Sequence, residues 1–491
     1  MVKYLMILEV SQKQAYIFAA KKLKENAARS QDINTVTSSE FFARMAGELY
    51  QEGNNLVYAG GGHTVLQFDS QEQAVAFAKV ITETVLRQYP GLELFVKTIE
   101  YNPAKTPGDN LKELSKALEA KKARRLASFR LIDFGLERPP EYGSIKLNRS
   151  GGEGVLPPEG YRFPSQFEEL VDALPGETSD NFIAVIHIDG NAMGARVDNI
   201  YKANTGDWEH CRISLRRFSE GIQADFEAAF QATVDEVIRI LRPKKDLPIR
   251  PVILAGDDVC FITAGNIGLE CARLFIEKLK ARPNGVDYKP YAACAGVALV
   301  HLKYPFHRAY DLAEELCNNA KRFGVGLDSQ GRVSAMDWHI EFGQLKDSLS
   351  DMRRDYRTED GCRLELRPVA VQVPDGVQKP APERTYDFFR TLCGTMEDRR
   401  GKIARSKIKE LRTALKQGEV EGEFFLQDRE IDELLYAPLQ AAYPLRDWPE
   451  ALKSKGAFQA FPEKNGEEKR CLFFDAIELL DHYQTVGEVS R

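Results

Sequence analysis

Ile253-Leu254-Ala255-Gly256-Asp257-Asp258-Val259-Cys260-Phe261 sets two apolar runs on either side of a small-small-Asp-Asp turn. Runs of this length around such a turn predict a β-hairpin, with glycine supplying the backbone freedom that the turn needs. Upstream, Phe182-Ile183-Ala184-Val185-Ile186-His187-Ile188-Asp189-Gly190 is a further apolar run, and it ends on a carboxylate. Between them Leu215, Phe218, Ile222, Phe226, Phe230, Val234, Val237 and Leu241 recur at the spacing of one helix face.

Continuing outward, the pattern over 181–323 predicts strand 182–189, the long helix, strands 250–254 and 259–263 around the turn, helix 267–280, strand 290–300 and helix 306–322. The first hundred residues repeat that order. A strand over 4–10 precedes helical patterns around 15–28 and 38–50, and strands 56–59 and 64–68 flank Gly60-Gly61-Gly62. Helix 74–86 and strand 92–99 complete the copy. This β-α-β-β-α-β order, with a glycine-containing hairpin at the same place in each half, predicts an internally duplicated ferredoxin-like unit. The expected fold class is α+β, with two ferredoxin-like palm domains in tandem and a helical C-terminal domain. The expected division is a first palm over 1–100, an insertion over 101–180, a second palm over 181–340 and the helical domain over 341–491. The insertion carries a basic helical stretch, Lys116–Arg130, and then Pro139-Pro140, Gly151-Gly152 and Pro157-Pro158, which read as irregular chain.

The halves differ where chemistry would reside. Glu9 stands in place of Asp189, and Gly60-Gly61-Gly62-His63 in place of Ala255-Gly256-Asp257-Asp258. Singly, Asp189 fits the start of an ordinary turn and Asp257-Asp258 a solvent-facing one. Together, a strand-end Asp and an Asp pair in a hairpin form the layout with which palm-type nucleotidyl transferases hold two divalent cations. Such ions need oxygen ligands on rigid backbone, with the remaining positions left for phosphates and water. Asp189, Asp257 and Asp258 are therefore the expected catalytic and metal-binding residues for two Mg²⁺ or Mn²⁺ ions. Gly190, Asn191 and Gly194 follow Asp189, and glycine there and at Gly256 lets backbone N–H groups approach a triphosphate. Lys321 and Arg322 could neutralise phosphate charge, or serve as the cations favoured at a helix C-terminus. His187 reads as a core residue and His482 as a surface one.

At 491 residues the chain is long enough for two to four domains, and its composition, 43% hydrophobic and 29% charged, is that of a globular protein. A net charge of −6 excludes a globally basic nucleic-acid coat. No apolar run approaches membrane-spanning length and the start lacks a signal-peptide core, so no membrane partner is expected. The eight cysteines include no CxxC pair, which fits reduced thiols in a cytoplasmic protein and argues against a zinc ribbon. Arg399, Arg400, Lys402, Arg405, Lys407, Lys409 and Arg412 form a basic run that either contacts nucleic-acid phosphates or is a solvated helix face. No Walker A loop, Gly-x-Ser-x-Gly elbow or His-Glu-x-x-His motif occurs.

The chain resembles the large polymerase-cyclase subunit of type III CRISPR effector complexes, the Csm/Cmr signature protein. The likeness is carried by Ile7-Leu8-Glu9-Val10-Ser11-Gln12, Tyr16-Ile17-Phe18, Tyr58-Ala59-Gly60-Gly61-Gly62 and Ile188-Asp189-Gly190-Asn191-Ala192-Met193-Gly194. Ala255-Gly256-Asp257-Asp258, Ala295-Gly296-Val297-Ala298, Tyr304-Pro305-Phe306, Ala313-Glu314-Glu315-Leu316 and Ala320-Lys321 continue it, so it spans roughly 1–100 and 180–340. GGDEF cyclases share the core layout alone. The resemblance implies a degenerate palm ahead of an active palm whose hairpin reads GGDD, and ATP as the substrate. It also implies a cyclic oligoadenylate messenger as product, with release of pyrophosphate in antiviral defence. Effector subunits and guide or target RNA become expected partners, and the palms are expected to face each other as an internal pseudo-dimer. The Gly60–Gly62 hairpin would then leave room for a second nucleotide. Three departures stand out: Ala255 replaces the first Gly of GGDD, no nuclease domain precedes the first palm, and 101–180 holds no cysteine for a zinc element. Two other readings stay open: a catalytically silent palm scaffold or nucleotide sensor in an RNA-guided complex, and a dinucleotide cyclase or template-independent polymerase.

Overall fold

The computed structural model describes residues 3–20, 22–124, 155–174, 181–343, 348–397, 403–442, 456–463 and 466–487. Strands β1 (Tyr4–Ser11), β2 (Leu56–Gly60), β3 (His63–Phe68) and β4 (Glu93–Glu100) form one antiparallel sheet in the order β2-β3-β1-β4. Strands β5 (Phe182–Gly190), β6 (Ile249–Ala255), β7 (Asp258–Ala264) and β8 (Ala293–His301) repeat that order as β6-β7-β5-β8. The duplicated unit is thus present in both halves. Helices Leu23–Val36 and Ser39–Ala46 follow β1, and Gln71–Gln88 follows β3. In the second half Trp208–Leu241 follows β5, and Gly268–Lys280 follows β7.

The long helix starts where Asp207 accepts a hydrogen bond from the His210 N–H at 3.0 Å, which satisfies an otherwise open helix-end donor. The eight apolar residues of its predicted face, Leu215, Phe218, Ile222, Phe226, Phe230, Val234, Val237 and Leu241, are all buried. Its polar flank closes the edge of the first sheet: Arg212 donates to the Leu56 carbonyl at 2.8 Å and Ser219 to the Ala59 carbonyl at 2.7 Å. Those two carbonyls would otherwise be open on an edge strand.

The second sheet is wider than the sequence suggests. β9 (Ser334–Glu341) pairs parallel to β8, and β10 (Val369–Gln372) antiparallel to β9. Asp337, His339 and Glu341 break up the apolar pattern of β9, yet all eight of its residues are buried. Asp337 is fully buried and takes hydrogen bonds from Arg353 at 2.7 and 3.0 Å and from Asn319 at 2.7 Å. A carboxylate so paired can sit in a core, so polarity there does not mark a surface.

The C-terminal region is mainly helical: Tyr386–Glu397, Arg405–Gln417, Glu419–Asp428 and Asp432–Ala442. A hairpin of β11 (Phe458–Glu463) and β12 (Gly466–Cys471) comes next, and where the pattern predicts a helix over 471–484 only Phe474–Glu478 is helical. Residues from Cys471 to Leu480 are buried without a break, which removes any helical periodicity. In the basic run, Arg405 and Lys409 both pair with Asp481, Lys407 donates to the Arg429 carbonyl, and Arg412 lies over the Phe474 ring. These cations bind within the chain. Arg399, Arg400 and Lys402 lie outside the described residues, as do 125–130 of the other basic stretch, whose preceding part lies in helix Pro107–Ala123.

All eight cysteines are free and buried. Among the described residues no helix is long and apolar enough to cross a membrane.

Candidate nucleotide and cation site

Antiparallel pairing of β5 with β7 and β8 puts Asp189 opposite Asp258 on one side and Cys294 on the other. Residues directly opposed in this way lie about 4.5–5.5 Å apart at Cα. The Gly190 N–H donates to the Asp257 carbonyl at 3.1 Å, so the strand end and the hairpin are tied together. A Cβ on Gly190 would stand 2.9 Å from the Asp257 Cβ, which explains glycine after Asp189. Gly256 adopts a φ of +68°, and its N–H donates to Gln223 Oε1 of the long helix at 2.6 Å. Ala255 closes β6 in strand conformation, where a side chain fits, so the change from glycine leaves the turn intact.

Burial first, and then the negative charge of Asp189, push the Asp257 carboxyl up to about 6 and the Asp258 carboxyl up to about 7. Lys321 of helix Phe306–Leu327 donates to Asp189 Oδ2. Asp258 Oδ1 has no hydrogen-bond partner, and His187 Nδ1 stands 3.7 Å from it. His187 is buried, as read from the sequence, and burial lowers its pKa. Among the described residues no three His, Cys, Asp or Glu side chains are grouped to hold an ion as they stand. The donor set still has the chemistry of a Mg²⁺ or Mn²⁺ site: three hard oxygen donors, two raised pKa values and one orphaned carboxylate oxygen.

A pH dependence follows. Asp257 and Asp258 keep protons in the folded chain up to about pH 6 and about pH 7, whereas ordinary aspartates release theirs near 3.8. Groups raised on folding stabilise below their unfolded pKa, and that stabilisation is lost as the pH rises through the folded value. The metal-free wild type should therefore lose more melting temperature between pH 5 and 8 than a D257A/D258A variant, by calorimetry. Equal losses in the two proteins would refute the assignment.

The first palm meets this hairpin face to face. A Cβ on Gly61 would lie 3.8 Å from the Ala255 carbonyl oxygen, and one on Gly256 would lie 3.8 Å from the Gly61 nitrogen. The registers correspond: Gly60 opposes His63 as Ala255 opposes Asp258, and Glu9 opposes His63 as Asp189 opposes Asp258. His63 thus takes the place of Asp258, and Gly62 that of Asp257. Burial, then the charge of Lys13, lower the His63 pKa to about 4, so the imidazole is neutral.

Between the palms lies a cavity of about 520 Å³ lined by Glu9, Lys13, Gly62, Asp258, Tyr310 and Glu314, among others. Lys13 donates to the Gly61 carbonyl, Lys122 pairs with Glu9 at 2.7 Å, and Gln14 donates to Glu314 at 3.1 Å. Sequence reading missed Lys13, Gln14, Tyr310 and Glu314. The signal for Lys13 was its place after the first strand, four residues past Glu9 as Met193 is past Asp189.

The other expected site residues divide. Lys321 reaches the carboxylates, but Arg322 is exposed and donates to Asn319 at 3.2 Å. Gly194, in the first turn of helix Met193–Ala203, has open space where a Cβ would stand. The Asn191 amide donates to the Val333 carbonyl at 2.9 Å, and its buried Oδ1 has no partner. Gly60 lies against Ser219 of the long helix, 2.8 Å from where a Cβ would be. His482 packs against Phe182 at a tilt, with centroids 4.6 Å apart, so it is partly covered.

Residues 182–326 match the family model of the Cas10/Cmr2 second palm domain. Csm1 of T. onnurineus has a similar fold, with a TM-score of 0.58 at 16% identity, covering 98% of this chain and 70% of that one. A Csm1–Csm4 cassette in complex with cA4 gives 0.56 at 16% identity, and one in complex with one ATP gives 0.55 at 16%, each with the same coverage of 98% and 70%. No curated protein matches the chain. The chain therefore carries a second palm domain of the Cas10/Cmr2 kind on a fold shared with Csm1, and its likeness is to the large subunit of type III CRISPR effectors.

Proposed function

We propose that this chain is a metal-dependent nucleotidyltransferase of the cyclase type. It joins ATP into cyclic oligoadenylate with release of pyrophosphate, as a subunit of a type III effector in antiviral defence. The observation that carries this reading is the register that sets Asp189 opposite Asp258, with Asp257 tied to the same strand end, inside the segment matching the Cas10/Cmr2 palm. The similar Csm1–Csm4 cassettes solved with cA4 and with ATP give the ligand class.

Asp189, Asp257 and Asp258 would hold two Mg²⁺ or Mn²⁺ ions, which when bound offset charge on the attacking and leaving oxygens. Lys321 supplies a cation beside Asp189 for triphosphate oxygens. Gly190, Gly194 and Gly256 let the backbone come close to phosphates, with the first turn of helix Met193–Ala203 offering N–H groups. The inter-palm cavity houses the second nucleotide, and Gly61 and Gly62 keep its first-palm wall low. The 3′-hydroxyl of one nucleotide attacks the α-phosphate of the other; the new P–O bond forms as the bond to pyrophosphate breaks, and the hydroxyl proton passes to solvent.

Incubating the protein with each nucleoside triphosphate and Mg²⁺ tests the reading: pyrophosphate is expected from ATP, and none from any triphosphate would overturn it in favour of a silent scaffold. Gly62→Ala probes the first palm. Gly62 has a φ of +75°, and its Cβ would meet Ile33 Cγ2 and Lys13 Cε at 2.9 Å. The left-handed backbone alone costs about 1–2 kcal/mol for a non-glycine residue. The variant should unfold at lower denaturant and make less product. Wild-type yield from a folded variant would remove the first palm from the reaction.

A further inference from the structure

Lys321 already places a cation on one of the three carboxylates. Its ammonium bonds Asp189 Oδ2, while Asp258 Oδ1 has no hydrogen-bond partner. The helix that carries it is fixed at several points. Gly296 allows contact so close that a Cβ there would lie 1.9 Å from the Ala313 carbonyl oxygen. Cys317 Sγ lies 3.2 Å from the Cys294 carbonyl, and Asn319 donates to the buried Asp337, itself gripped by Arg353. Glu315 accepts from the Leu349 N–H at 2.9 Å. The adjustable part is the Lys321 side chain, a flexible four-carbon stem with 27% of its surface exposed.

We propose that Lys321 is a resident counterion, exchanged when substrate arrives. In the nucleotide-free chain it neutralises Asp189 and competes there with a divalent cation. A nucleoside triphosphate draws the ammonium onto its own oxygens and frees Asp189, so nucleotide and cation bind cooperatively. By linkage, the cation must raise nucleotide affinity by the same factor. This inference rests on the reading of Asp189 as a cation ligand.

The test measures Mn²⁺ binding to the full chain by isothermal titration calorimetry, for wild type, K321M and K321Q. Each is titrated with and without a non-hydrolysable ATP analogue, after a melting curve has confirmed folding. Couplings between sites usually amount to about 5- to 150-fold. Without nucleotide, K321M and K321Q should bind Mn²⁺ about tenfold more tightly than wild type, within that range. The analogue should raise Mn²⁺ affinity more in wild type than in either variant. Mn²⁺ binding that is equal in the three nucleotide-free proteins would overturn the exchange while leaving the carboxylate site standing. No Mn²⁺ binding by any of them, with or without the analogue, would overturn the carboxylate site and the exchange with it.

Discussion

Replacing Asp257 and Asp258 together with alanine is expected to cut pyrophosphate release from ATP by about 10³-fold or more, a loss of roughly 4 kcal/mol of transition-state stabilisation. The same change should make the metal-free protein more stable at pH 8. Both carboxylates are then ionised in surroundings that push them up to about 6 and about 7, so the native hairpin carries charge that its environment opposes. The side chain of Asp258 is 46% exposed, and solvent screening reduces the effect. A net gain of about 1 kcal/mol is a reasonable scale. Activity and stability thus move in opposite directions, which separates a lost site from a damaged fold. Unchanged pyrophosphate release would rule out these carboxylates as the site.

The second large effect belongs to Gly296→Ala. The added Cβ would meet the Ala313 carbonyl at 1.9 Å and the Cys317 nitrogen at 2.3 Å, both backbone atoms of helix Phe306–Leu327. Neither can move without the helix, so the helix must shift away from β8. Overpacking costs about 1–3 kcal/mol where side chains can adjust, and this site should reach about 3 kcal/mol or more. Lys321 would be displaced from Asp189 along with its helix. Denaturant unfolding checks the stability change, and a loss under about 1 kcal/mol would mean that the contact yields easily.

The duplicated strand order and the hairpin carboxylates were legible because they depend on local pattern. Apolar runs bounded by turns mark strands, and a strand-end Asp next to an Asp-Asp turn needs only pairing to come together. Gln14 and Glu314 were not legible, since they meet only when the two halves pack and no spacing along the chain records that contact. Lys321 and Arg322 show a finer limit. Neighbours on a helix point about 100° apart, so one of the two turns to the sheet and the other to solvent. β9 was hidden by its buried, paired Asp337, and the shortness of the helix Phe474–Glu478 by the uninterrupted burial of Cys471 to Leu480.

The most direct test of the central claim is the identity of the product. Purified chain, ATP and Mg²⁺ should yield cyclic oligoadenylate by mass spectrometry, with one pyrophosphate released per adenylate joined, and D257A/D258A in the same assay should yield neither. A product free of phosphodiester-linked adenylates, or the same cyclic product from the variant, would contradict the account.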